Sequence, residues 1–167
     1  LGIARVFDNA EQLIDEVKPD FIDIITDVDT HPTFTKLAAA RGIPVICQKP
    51  MAPSLAQAEA MVGACRDAGV PMFVHENFRW QTPIRNLKRL LDEGHIGTPH
   101  RAHINMVSGF PVFKNQPFLA DLKQSVMTDV GSHVLDIARF LFGEAETVYC
   151  QTRRTLDFIQ GENVATV

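Results

Sequence analysis

The sequence predicts an α/β protein, with a partial Rossmann-like parallel sheet followed by part of an α/β domain that has an open, mainly antiparallel sheet. Helical segments and short apolar strands alternate over the first half of the chain. Residues 41–47 and 68–74 also repeat one pattern: a helix end, a glycine suited to positive φ, a proline and an apolar strand. With a helix between them, the repeats form a βαβ unit, whose strands run parallel.

The elements of the first half follow from their caps and apolar spacing. Asn9 can cap the first helix, with Gln12 at the reciprocal position, and Pro19 ends it. A strand is expected at 21–25, and a helix from Thr30 to Gly42. Ser54 and Gln57 form a capping box for the helix between the repeats. Its predicted buried stripe is Leu55, Ala58, Val62 and Cys65.

After Trp80 the pattern changes, and we expect a second domain there. The predicted domains are 1–79, with the parallel sheet, and 80–167, with the second sheet. The second domain should contain a helix at 83–93, a strand at 100–107, an irregular loop at 108–123, a helix at 129–142, and strands at 148–152 and 164–167. The helix at 83–93 would face inward with Ile84, Leu87, Leu90 and Leu91.

Composition excludes several classes of protein. The 167 residues carry a formal net charge of −4, which argues against non-specific nucleic-acid binding. No apolar run reaches the length of a membrane span. The three cysteines lack a CxxC pair and indicate reduced thiols, so we expect a cytoplasmic protein.

Lys49 is the first candidate for chemistry. It follows the strand at 45–47, and ligands of open α/β sheets bind beyond the carboxyl ends of the strands. A lysine there can present a cation to a substrate oxygen, although an ordinary surface lysine fits the same position.

Asp129 and His133 are the second candidate. With Asp136 they stand at i, i+4 and i+7 of the predicted helix, so all three share one face, and the carboxylates could orient the imidazole. A structural histidine at a helix edge is the alternative. We expect no metal, because no second histidine lies at ligand spacing on this helix.

The run from His75 to Trp80 should emerge on the same sheet edge as Lys49. Arg79 and Trp80 could line a polar pocket there or pack at the domain junction. His31 follows the strand at 21–25 and should face this edge too, unless it is a plain surface histidine.

Five runs, in order along the chain, match the motifs of one enzyme family. They are Thr26 and His31 in a turn of the form T-P-N-x-x-H, 45–52 as V-x-x-E-K-P-x-A, 75–80 as a strand ending N-x-R-[FW], 94–97 as G-x-I-G, and 129–136 as D-x-G-x-H-x-x-D. The chain thereby resembles the Gfo/Idh/MocA oxidoreductases.

The resemblance implies an enzyme that transfers a hydride between NAD or NADP and a hydroxyl group of a sugar, cyclitol or related compound. It implies that 1–79 is the C-terminal part of a dinucleotide-binding Rossmann domain and that 80–167 is a partial substrate/catalytic α/β sheet domain. It implies that Lys49 contacts the substrate oxygen, that His133 is the general base, and that Asp129 orients His133 and binds substrate. The implied cofactor-binding residues are Thr26, His31, Gln48, Lys49 and Asn77. The implied substrate-binding residues are Lys49, Arg79, Trp80, Asp129 and His133.

The sequence departs from the family at several points. Gln48 replaces the usual glutamate, and Asp27 and Val28 replace the Pro-Asn of the turn. No G-x-G-x-x-G occurs, so we expect a fragment that lacks the glycine fingerprint and the C-terminal end. A homo-oligomer could cover the sheet edge that such a fragment exposes. Two alternatives stay open: a non-enzymatic sugar- or partner-binding relative, and a metal-dependent hydrolase or lyase.

Overall fold

The computed structural model describes residues 2–167, which form two compact units. The first unit ends at His75, and the second spans Glu76–Val167. The division lies a few residues before Arg79, where the sequence analysis ends the first domain. The side chains of Glu76 and Arg79 contribute to this difference, because both bind residues of a helix in the second unit.

The first unit combines a parallel sheet with helices. Its strands are β1 (Ile22–Ile24), β2 (Val45–Cys47) and β3 (Met72–Val74). Its α-helices are α1 (Ala10–Val17), α2 (His31–Ala40) and α3 (Leu55–Asp67), and a 3₁₀ turn at Val28–Thr30 precedes α2.

The parallel sheet has the order β1-β2-β3, which confirms the predicted βαβ unit. Val45 pairs with Ile22 on one side and with Met72 on the other. Val45 and Cys47 have no exposed surface, as expected of a strand covered on both faces. Gly42 and Gly69, the glycines of the repeated pattern, both have positive φ, at 69° and 68°.

The predicted N-caps Asn9 and Ser54 are confirmed, whereas the reciprocal role predicted for Gln12 and part of the predicted buried stripe of α3 are wrong. Asn9 accepts hydrogen bonds from two backbone N–H groups of α1, and the Ser54 hydroxyl accepts one from Gln57. The Gln12 amide donates to Glu16 of the next turn. In α3 the fully buried residues are Met61 and Cys65, because this face lies against α2.

Leu55 and Val62, which the sequence analysis places in that stripe, are exposed. The apolar spacing alone is compatible with burial of either of two faces of α3. The tertiary contact with α2 selected the one that contains Met61.

The second unit is mainly helical. Its α-helices are α4 (Thr82–Asp92), α5 (Val112–Asn115) and α6 (Ser132–Phe142). Two 3₁₀ turns, Phe78–Trp80 and Pro117–Asp121, and one π-helical turn, Met127–Gly131, complete the helical part. The strands β4 (Gln151–Arg153) and β5 (Val164–Thr166) pair antiparallel.

Three predictions for this unit are wrong. Residues 100–107 form no strand, because a strand requires a hydrogen-bonded neighbour and none pairs with this segment in the described chain. The apolar residues of α4 are half-buried or exposed, so the helix has no buried face in this unit. The loop at 108–123 contains α5 and a 3₁₀ turn.

The segment around Gly161 packs against the loop that leads into α6. The buried Glu162 accepts a hydrogen bond from the Met127 N–H through Oε1, and its carbonyl accepts one from the Ser125 hydroxyl. These contacts satisfy donors at the start of the helical run that contains Asp129 and His133.

Among the described residues, no helix is both long and apolar enough to cross a lipid bilayer.

Replacing Gly161 with alanine should destabilise the protein. An added Cβ would lie 2.9 Å from the carbonyl carbon and oxygen of Lys123, and closer still to the Leu122 carbonyl. We expect a loss of about 1–3 kcal/mol in the free energy of unfolding, the usual effect of overpacking. Gly63→Ala is the matched control, because Gly63 lies inside α3 with only one atom at 3.9 Å. It should be neutral or stabilising. Urea denaturation checks both, and equal stabilities would contradict the packing argument.

Cys47 should resist alkylation in the folded protein while Cys150 reacts. Burial, with a smaller effect of Asp23, raises the pKa of the Cys47 thiol to about 11. A rise of this size lowers the thiolate fraction at pH 8 roughly 100-fold. Cys150 is exposed and is the internal control. Mass spectrometry after iodoacetamide treatment measures both rates, with and without denaturant. Equal labelling of Cys47 and Cys150 in the native protein would refute the prediction.

Candidate functional site

Gln48 and Lys49 lie directly beyond the carboxyl end of β2, as the sequence predicts. The Gln48 N–H donates to the Ile24 carbonyl at the end of β1, and the His75 N–H donates to the Cys47 carbonyl. The three strand ends are therefore aligned at one edge. The Gln48 side chain accepts a hydrogen bond from the Lys49 N–H at 2.8 Å through Oε1, and the Lys49 side chain is half-buried.

His31 occupies the interior of the first unit, 1% exposed, at the start of α2. Its Nε2 lies 3.0 Å from the Thr26 carbonyl, and its Nδ1 lies 3.1 Å from the Pro50 carbonyl. The ring thus links the turn after β1 to the segment after Lys49. The Thr26 hydroxyl pairs with that of Thr30 at 2.6 Å.

Asn77 precedes and Trp80 ends a short 3₁₀ turn in the second unit. The Asn77 carbonyl accepts a hydrogen bond from the Trp80 N–H. The Trp80 side chain is 63% exposed, and the guanidinium of Arg85 lies over its ring.

Asp129 and His133 lie on consecutive but different helical turns. The sequence predicts one α-helix from 129 to 142, whereas Asp129 belongs to the π-helical turn and His133 to the first turn of α6. A π-helical turn contains more residues than an α-helical one, so it changes the angle between Asp129 and His133 around the axis. Such turns occur frequently at functional sites. Asp129 is half-buried and His133 is buried.

Glu76 is the carboxylate that contacts the His133 ring at Nδ1. Its two oxygens lie 2.7 Å and 2.8 Å from Nδ1. The side chains are only 9% exposed for His133 and 16% for Glu76, so little water competes for this pair. When Glu76 is ionised it only accepts hydrogen bonds, and Nδ1 is then the nitrogen that carries the proton.

Phe78 also holds this pair. Its N–H donates to Glu76 Oε1 at 2.9 Å, and its ring stacks on the imidazole with 4.0 Å between centroids and 8° between planes. The segment Glu76–Phe78 therefore fixes His133 at one edge and on one face.

Asp136 binds Arg79, so it is not the residue found at His133 Nδ1. Arg79 Nε donates to Asp136 at 2.7 Å, a second guanidinium nitrogen donates to the other carboxylate oxygen, and the guanidinium lies over the Phe140 ring. The hydrogen bond to Asp136 raises the pKa of the Arg79 guanidinium further. This fork joins the 3₁₀ turn to α6.

The arrangement around His133 suits proton transfer. With Nδ1 protonated and bound, a neutral imidazole has its lone pair on Nε2, which can accept a proton. In the described part of the chain, no group of three or more histidine, cysteine or acidic side chains could hold a metal ion. The sequence patterns assigned no role to Glu76, although it lies in the run from 75 to 80. Its position two residues past the end of a strand was the available signal.

Two family models match the chain. Residues 1–76 match the oxidoreductase family with an NAD-binding Rossmann fold, and residues 84–167 match the GFO/IDH/MocA C-terminal domain. Together they cover both units.

Similar proteins agree with these matches. The chain is 46% identical to a D-apiose dehydrogenase of Rhizobium rhizogenes, over 99% of this chain and 48% of that protein. It is also 46% identical to a D-apiose dehydrogenase of Paraburkholderia graminis, over 99% of this chain and 44% of that one. An oxidoreductase from Agrobacterium radiobacter, crystallised with NAD⁺, L-tartaric acid and magnesium, superposes with a TM-score of 0.95. Its identity is 46%, over 98% of this chain and 48% of that one. The chain thus spans about half the length of these relatives.

Removing the carboxylate of Asp136 should destabilise the second unit. Asp136→Asn leaves the guanidinium of Arg79 without its anionic partner, and we expect a loss of about 1.5–3 kcal/mol in the free energy of unfolding, the scale of hydrogen bonds to charged groups. Arg79→Met, alone and combined with Asp136→Asn, completes a double-mutant cycle by denaturant unfolding. Glu144→Gln, which breaks the exposed pair with Arg139, is the control and should change little. Additive effects of the two substitutions would contradict a direct coupling.

Proposed function

Because the chain belongs to the Gfo/Idh/MocA oxidoreductases, we propose that it is part of a dehydrogenase acting on a hydroxyl group of a sugar, cyclitol or related compound. NAD or NADP is the proposed acceptor. The observation that carries the proposal is the buried His133, whose Nδ1 is bound by a carboxylate while it lies on the helix of the family motif. A module that only binds sugar has no need of a proton acceptor held in this way.

D-apiose is the first substrate to test. Two relatives at 46% identity are D-apiose dehydrogenases, and each aligns with 99% of this chain. Their names support an aldose as the substrate, within the wider class of sugars and cyclitols.

In the proposed reaction each side chain has one task. Lys49 contacts the substrate oxygen and stabilises negative charge on it as its proton leaves. His133 accepts that proton at Nε2, so the carbinol O–H bond breaks while the oxygen forms a carbonyl. Asp129 binds substrate beside His133. A nicotinamide cofactor, when bound, would supply the redox chemistry as the acceptor of the hydride from the carbinol carbon.

The first unit has features that fit a nicotinamide cofactor. Thr26, Gln48 and Lys49 follow the carboxyl ends of parallel strands, which is where open α/β sheets bind dinucleotides. We propose that these residues contact the cofactor, together with Asn77 of the second unit. Gln48 would act as a neutral hydrogen-bonding group in place of the family's glutamate.

His31 would serve the cofactor site indirectly. Since its ring is 1% exposed and faces backbone carbonyls through both nitrogens, it holds the Thr26 turn and the Pro50 segment in place. Arg79 and Trp80 remain proposed substrate contacts, with Arg79 aligned by Asp136.

Alanine substitution of Lys49 or His133 in the full-length protein should abolish most turnover. Loss of a proton acceptor typically lowers kcat by about 10²- to 10⁴-fold, and we expect His133→Ala to fall in that range. Lys49→Ala should show a comparable loss in kcat/KM. The measurement is absorbance at 340 nm with D-apiose and related aldoses, using NAD⁺ and NADP⁺ in separate assays.

Two exposed residues of the second unit provide matched controls. Lys88→Ala and His95→Ala remove the same side-chain types from surface ion pairs and should leave turnover unchanged. Normal turnover in both Lys49→Ala and His133→Ala would refute the proposed roles. A wild-type protein that binds sugar but neither cofactor would support the non-enzymatic alternative.

A further inference from the structure

We propose that Glu76 is the positioning residue of His133, because it accepts the Nδ1 proton and so leaves Nε2 as the atom that receives the substrate proton. The inference deepens the proposed function and rests on it for the identity of the reaction. It moves the task of orienting the imidazole from Asp129, where the family resemblance puts it, to a carboxylate from a different segment.

The contacts of Glu76 at Nδ1 favour a proton on this nitrogen of His133. Both Glu76 oxygens lie within 2.8 Å of this nitrogen, and the pair is mostly buried. Such charge-assisted hydrogen bonds are roughly twice as strong as neutral ones. A neutral imidazole has only one N–H, so a proton held at Nδ1 leaves Nε2 unprotonated.

The backbone of Phe78 orients the Glu76 carboxylate. Its N–H donates to Glu76 Oε1 at 2.9 Å, so that atom must be a hydrogen-bond acceptor. This contact fixes the carboxylate in the orientation that reaches Nδ1. The flat stacking of the Phe78 ring on His133 prevents the imidazole from turning out of the carboxylate plane.

Glu76 and His133 lie on separate segments of the chain. Glu76 follows β3 by two residues, and 57 residues separate it from His133. Asp129 belongs to the same helical run as His133. A carboxylate on a separate segment can therefore hold the ring at one nitrogen without using a residue of that helical run.

Glu76→Gln is the most informative substitution. In the variant, the amide oxygen should keep the bond from the Phe78 N–H, which directs the amide NH₂ to the position of Oε2, 2.8 Å from Nδ1 in the wild type. The amide oxygen then lies at the position of Oε1, 2.7 Å from Nδ1, but a neutral oxygen is a weaker acceptor for the Nδ1 proton than a carboxylate oxygen. An NH₂ group only donates, so it favours the tautomer with the proton on Nε2, which cannot act as a base. We expect kcat to fall about 10²- to 10⁴-fold, as when a catalytic histidine is held in the wrong tautomer. KM should change far less.

The tautomer itself is a readout that a purely structural role would not move. In full-length protein labelled with ¹⁵N-histidine, neutral His133 should show a protonated Nδ1 in the wild type and a protonated Nε2 in Glu76→Gln. The His133 signals are assigned by their loss in His133→Ala. Glu93→Gln is the matched control, since it makes the same substitution at an exposed glutamate that contacts His95 Nε2 at 3.0 Å. It should leave kcat and the His133 signals unchanged.

Each outcome decides the inference. A wild-type His133 that carries its neutral-state proton on Nε2 overturns it, whether or not any variant folds. So does a folded Glu76→Gln protein with unchanged tautomer and kcat. If Glu76→Gln fails to fold, as judged by its thermal melting curve, Glu76→Asp replaces it. That variant keeps a carboxylate, and it should retain the Nδ1 proton and part of kcat; a proton on Nε2 together with an unchanged kcat would overturn the inference.

The spectroscopic result also separates this inference from the proposed function. If the protein lacks dehydrogenase activity but His133 still changes tautomer in Glu76→Gln, the positioning role is supported and the proposed reaction is refuted. If the enzyme is active and needs His133 but not Glu76, the proposed reaction is supported and the positioning role is refuted.

Discussion

Strand β2 is hydrogen-bonded on both sides, and the rest of the first unit depends on this double pairing. Because both ladders are parallel, the carboxyl ends of β1, β2 and β3 meet at one edge. The residues that follow these strands therefore lie together: the Gln48 N–H donates a hydrogen bond to Ile24, and the His75 N–H donates one to Cys47. Because Val45 and Cys47 are completely buried, smaller side chains in this strand would leave cavities in the core of the unit.

The second unit is organised around a different constraint, the burial of polar side chains on α6. Taking an imidazole and a carboxylate out of water is unfavourable unless they bind each other. His133 with Glu76 and Asp136 with Arg79 meet that requirement through the same short segment after β3. One run of residues thereby fixes the candidate base and also aligns a candidate substrate contact.

The start of α6 combines two features that bear on function. A π-helical turn includes Asp129, and the buried Glu162 accepts the Met127 N–H at the beginning of that turn. Gly161 permits this approach, because a side chain there would collide with the backbone at Leu122 and Lys123. The helical run with the family motif is thus anchored at its N-terminal end as well as along its length.

Local features of the sequence determined the parallel βαβ unit, the caps at Asn9 and Ser54 and the positive φ of Gly42, since each depends on residues close in the chain. The same local signals located Lys49 at a strand end and His133 on a helix. They failed for the strand predicted at 100–107 and for the buried face of α3, because pairing and burial depend on a neighbour that periodicity does not specify. Only the tertiary structure decided which carboxylate meets His133. Glu76, Asp129 and Asp136 all lie in the runs that match the family motifs. The contact of His133 with Glu76 joins residues 57 positions apart, and no local spacing in the sequence predicts such a contact.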